Sequence, residues 1–174
     1  MCYNTDNYSL AYSLLLNFIY HTISYRQIKS VIDQLPGDKS FWAYTSDAHI
    51  QMAITTWCKV FGSPKEDAHY SKFSQHPKVS FNDYLLESYQ YDIEDWNEYQ
   101  CIMKRFRDKF VAHSEISRFY NPVPTLDMAL NAAFAYDRWT REIMAPDWNE
   151  NELFGDRIIS WTKAIKATLH RLVR

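Results

Sequence analysis

The sequence predicts an all-α fold, a single up-and-down bundle of five or six helices occupying residues 1–174. Three observations lead there. Apolar residues recur at three- and four-residue steps over most of the chain. Only three glycines and six prolines interrupt a sequence that is 47% hydrophobic and 17% aromatic, a composition suited to compact helices and not to linker or disordered tail. No internal repeat, low-complexity tract or strand-hairpin signal breaks the pattern. At 174 residues one domain can bury a respectable core without staples, whereas two would be cramped.

The first helix is expected from about Ser9 to Leu35, on a stripe of Leu10, Leu14, Phe18, Ile28, Val31, Ile32 and Leu35, with an irregularity near Ser24. Pro36-Gly37-Asp38 stops it. Ser40 is placed to cap a second helix through Phe41, Trp42, Ile50, Ala53, Ile54, Trp57 and Val60, ended by Gly62 and Pro64. Residues 63–77 are polar and weakly periodic, which predicts a loop with at most one short helix. Ser80-Phe81-Asn82-Asp83 opens the next helical run, and a second start near Asp92 leads through Trp96, Tyr99, Ile102, Met103, Phe106 and Phe110. After Pro122 and Pro124, Thr125 is the expected cap of a helix through Met128, Ala132, Ala135, Tyr136 and Trp139, closed by Pro146. An acidic turn from Asp147 to Asp156 precedes a last amphipathic helix bearing Ile158, Ile159, Ile165, Leu169 and Leu172.

A net charge of −2 gives no global attraction to nucleic acid, so any such contact must come from a local basic patch. Cys2, Cys58 and Cys101 are odd in number and far apart, which predicts free thiols and a reducing, cytoplasmic compartment. The run Leu14 to Tyr20 is too short to span a bilayer and lacks a basic leader; neither signal peptide nor membrane anchor is expected.

The segment Arg107-Asp108-Lys109-Phe110-Val111-Ala112-His113-Ser114 carries the most chemistry. A guanidinium neutralises phosphate with a planar fork of donors, and an imidazole moves protons near neutral pH, so the pair suffices for metal-free RNA cleavage. Such a spacing arises by chance about once in a chain with this many arginines and histidines, and the surrounding pattern must decide. Phe41-Trp42 opens the second helix and Trp57-Cys58-Lys59-Val60-Phe61-Gly62 closes it. Arg107 to His113 lies on a later helix, followed by the Pro124-Thr125-Leu126-Asp127 helix start.

In their order and approximate spacing, from about residue 40 onward, these segments resemble the HEPN superfamily of helical bundles, and within it the abortive-infection group of bacterial defence proteins. The resemblance implies an Arg-x(4–6)-His site, here Arg107 and His113, with Asp108 as the polar residue following the motif arginine. It implies metal-independent RNA cleavage by a homodimer with no cofactor, in phage defence or as a toxin with an antitoxin or defence partner protein. Toxins of this kind that pair with a nucleotidyltransferase often carry Tyr two residues beyond the histidine. This chain has Glu115 there, which departs from that partner class.

At about 100° per residue His113 falls near the stripe of Tyr99, Phe106 and Phe110, and Arg107 about 120° away with Lys104 and Val111. A helix end that unwinds near Ala112, or a two-fold dimer, would bring both groups to one phosphate. There His113 would serve as general base or acid and Arg107 would stabilise the phosphorane, leaving a 2′,3′-cyclic phosphate and a 5′-hydroxyl. Lys104, Arg105 and Lys109 would contact neighbouring phosphates. The plainer reading is a His113 on the helix C-terminal dipole and an Arg107 that is solvated or paired with a carboxylate, within a non-catalytic module that binds nucleotide, RNA or protein.

Other candidates rank lower. His49, His69 and His76 with Cys58 lack ligand spacing, so no metal site is expected. Lys163, Lys166, His170, Arg171 and Arg174 form a basic helix face that could guide RNA, although a solvated exterior is the commoner explanation. Glu94, Asp95 and Glu98 sit near a helix start, where the dipole already favours them.

Overall fold

The structure, a computed structural model, describes residues 5–73, 78–112, 123–144 and 152–173. Among them are six α-helices and no strand, an all-α bundle: α1 Thr5–Val31, α2 Lys39–Phe61, α3 Phe81–Tyr89, α4 Ile93–Phe106, α5 Asp127–Trp139 and α6 Phe154–Leu172. α2 and α6 pack along α1, and α3 packs on α5. One contiguous core draws buried residues from all six helices, including Leu15, Trp57, Phe81, Trp96, Tyr136 and Phe154. A smaller cluster of Ile28, Leu35 and Leu169 closes the junction of α1 and α6.

α1 runs unbroken through Ser24, where an irregularity was expected, and begins before Ser9. Its buried face is Tyr8, Ala11, Tyr12, Leu15, Phe18 and Ile19, and Leu10 points outward. Tyrosine carries an apolar ring under a polar tip, so Tyr8 and Tyr12 bury their rings while the Tyr12 hydroxyl donates to the Glu152 carbonyl at 3.2 Å. After a 3-10 turn at Ile32–Gln34, Gly37 takes φ +80° to reverse the chain. Lys39 Nζ donates back to the Leu35 carbonyl at 2.6 Å, satisfying an acceptor left over where the helix stops.

The caps differ in part from expectation. α2 is capped by Asp38, whose Oδ1 accepts from Ser40 N at 2.7 Å, so Ser40 lies inside the helix. α5 has Leu126, not Thr125, at its N-cap and no side-chain cap bond; Tyr99 instead donates its hydroxyl to the Thr125 carbonyl at 2.7 Å. Ser80 behaves as expected, its Oγ accepting from Asp83 N at 3.1 Å and donating to Asp83 Oδ2 at 2.7 Å. The stretch at 63–73 holds one 3-10 turn, Tyr70–Lys72. α4 and α5 both run on into π-helical turns, Arg107–Ala112 and Thr140–Met144. No described helix is long and apolar enough to cross a membrane.

Candidate functional site

α4 buries Trp96, Tyr99, Met103 and Phe106, spaced three and four apart, and Arg107 follows as the residue that ends the α-helical winding. Ile102, expected on the same stripe, is instead 39% exposed. Arg107 N–H donates to both the Lys104 and Met103 carbonyls, and from there the chain winds as a π-helix packed against α2. A π turn spans more residues than an α turn, so angles reckoned at the α-helical rate do not hold beyond Phe106.

Arg107 is itself only 24% exposed at the side chain, and Asp108 is 57% exposed. Nε and Nη2 of Arg107 both reach Asp108 Oδ1, at 2.8 and 2.7 Å. Burial works against the guanidinium charge. The hydrogen bond to Asp108 and the negative charges of Asp108 and Glu66 outweigh it, holding the Arg107 pKa above its ordinary value. Beneath the turn, burial pushes the Cys58 thiol up to about 12 in spite of Arg107 and Lys104, so it packs there as a neutral side chain and not as a thiolate. Gln100 Nε2 donates to the Phe61 carbonyl at 2.8 Å and ties α4 to the end of α2. Gly62 belongs there because a Cβ would come within 2.4 Å of the Cys58 carbonyl oxygen.

Of the other residues named from the sequence, Lys104 and Lys109 are half-buried and Arg105 is exposed, all within the two turns around Arg107. His113 lies outside the described residues, as do the side chain of Phe110 and His76. Among the described residues no three His, Cys, Asp or Glu side chains are grouped to share a metal ion.

Three histidines take roles that the sequence did not disclose. His49 on α2 meets His21 on α1 with Nδ1 atoms 2.8 Å apart. His69 caps the 3-10 turn: its Nδ1 accepts from Ser71 N at 3.3 Å and lies 2.8 Å from Ser71 Oγ. Desolvation lowers the pKa of all three, that of His69 to about 4. Spacing along the chain could not have paired His21 with His49, because their meeting depends on the register between two helices. No family model matches the chain, and neither a curated protein nor a solved structure does.

Proposed function

We propose that the chain is a metal-independent endoribonuclease of HEPN type, in which Arg107 stabilises the phosphorane and His113 transfers the proton. The observation that carries this reading is the setting of Arg107. Its guanidinium is largely buried at the first residue of a π-helical turn, a distortion common at functional sites, and is fixed along one edge by Asp108. Nη1 takes no part in that pair, so an oriented donor edge remains for a phosphate oxygen. Asp108 then orients the fork, and Lys104, Arg105 and Lys109 supply positive charge for flanking phosphates. Two copies joined by a two-fold axis would build a composite cleft from two such turns. Phage defence or toxin–antitoxin pairing, with an antitoxin or defence partner protein, is the biological role that the resemblance supports.

The test is incubation of the purified chain with end-labelled RNA in EDTA. Cleavage to 2′,3′-cyclic phosphate and 5′-hydroxyl ends, lost in both Arg107→Ala and His113→Ala while their melting curves stay cooperative, is the expected outcome. A second reading is favoured by the Arg107–Asp108 ion pair itself, which already gives the guanidinium a structural use: a non-catalytic module that binds nucleotide, RNA or protein. RNA that is retained on the protein but left intact under every condition would select that reading and sink the nuclease.

A further inference from the structure

The cleft between α1 and α6 plays no part in the reading built on Arg107. It encloses about 290 Å³, near the lower end for small-molecule sites, which suits a single ring system. Tyr20 and Trp161 form an aromatic corner in its wall, ring centroids 5.4 Å apart and planes at 87°. Ile165 and Leu169 add aliphatic surface.

Of the polar side chains on its wall, Thr168 donates its hydroxyl to the Ala164 carbonyl at 3.1 Å, and Ser24 and His49 remain for a ligand. Ser24 is only 4% exposed, and its hydroxyl has no hydrogen-bond partner among the described residues. It is not one of the sealed, unpaired polar atoms of the fold; it opens on the cleft, where a ligand's polar edge can take the place of water. His49 is held by the Nδ1 contact to His21, which leaves Nε2 as its nitrogen for a ligand. Desolvation keeps both imidazoles toward the neutral form. None of the lining residues is Lys, Arg, Asp or Glu; Arg157, over the Trp161 ring at 6.0 Å, is ion-paired with Glu152, so the wall itself favours an uncharged ligand.

We propose that this cleft binds one uncharged nitrogen-heteroaromatic ring, the chemistry shared by a free nucleobase and an unstacked base of single-stranded RNA. The aromatic corner offers the ring face and edge contacts, and Ser24 and His49 offer hydrogen bonds to its polar edge. Such a site works whether or not Arg107 cleaves RNA.

The full chain is titrated with adenine, with cytosine and with a short single-stranded RNA, following the Trp161 indole N–H and the His49 ring protons by NMR. Saturable shifts are expected. Binding should weaken about tenfold in Ser24→Ala, which removes only the hydroxyl. It should vanish in Ala164→Leu, which fills the cleft from an exposed position on α6. Adenine and cytosine carry no phosphodiester, so their binding reads the cleft alone while the EDTA assay reads Arg107 and His113, and a failed nuclease and a failed cleft are distinguishable. Free bases that bind as well as the RNA assign a free small ligand; RNA that binds more tightly, and loses that advantage in Ala164→Leu, assigns an extruded base. If no probe moves either signal at millimolar concentration, or if Ser24→Ala and Ala164→Leu bind as wild type, the site does not exist.

Discussion

Asp137 is a carboxylate with its side chain 4% exposed, and both of its oxygens are committed. Oδ1 accepts from Arg141 Nε and Oδ2 accepts from Phe154 N, each at 2.9 Å. The second bond has more consequence for the fold. α6 begins without a side-chain cap of its own, and Asp137 reaches across from α5 to satisfy its first buried N–H. Removing the carboxylate leaves the Phe154 amide without its acceptor and takes from Arg141 its buried ion pair, the guanidinium keeping the Glu152 carbonyl at 3.4 Å. Asp137→Ala is therefore expected to lower the unfolding free energy by about 3 kcal/mol, with Asp137→Asn costing less because its amide oxygen still accepts one bond. Urea titration measures this through the midpoint at unchanged slope. A loss under about 1 kcal/mol in the alanine variant would show that water takes over both roles.

At the scale of elements, α3 ends on Gln90, which holds φ 54° in the left-handed region with its N–H on the Leu86 carbonyl. A side chain is strained there and glycine is not, although glycine gives back part of the gain by loosening the unfolded chain. Gln90→Gly should raise stability by about 0.5–1 kcal/mol, visible as a melting temperature roughly 2 °C higher; a decrease would mean the Gln90 side chain makes a contact worth more than the strain. The helices themselves were legible because each repeats apolar residues at helical spacing. Where Ser80 and Asp83 form a reciprocal cap, the start was legible as well. Ser40 and Thr125 misled because several capping side chains stand side by side, and backbone geometry chose Asp38 and Leu126. Neither π turn has a residue signature, since the winding is set by what packs against it. The Arg107 position could thus be read as the end of an apolar stripe, but not its direction or its pairing on one Asp108 oxygen. Equally, the cleft at Tyr20, Ser24 and Trp161 joins residues some 140 positions apart, and only the docking of α6 on α1 creates it.

At the scale of the whole molecule, three histidines distributed over different contacts couple folding to pH in one direction. His21 and His49 lie between α1 and α2, and His69 lies in the turn below α3; burial depresses each pKa from its ordinary 6.5. A depressed folded-state value means that the unfolded chain takes up protons first as pH falls. The stability these residues contribute is therefore complete above about pH 6.5. It falls below that and for His69 is exhausted near pH 4. At pH 5 the His69 share of the loss is on the order of 2 kcal/mol, and the His21–His49 pair adds to it because two imidazolium ions cannot share an Nδ1 contact of 2.8 Å. His69→Asn keeps an acceptor for Ser71 N but cannot titrate, so its unfolding free energy should decline between pH 7 and 5 by that much less than wild type. Working above pH 5 keeps most carboxylate titration out of the measurement. Parallel pH profiles for wild type and variant would show that His69 is protonated as easily in the folded protein as in the unfolded chain, and would remove its share from the acid response.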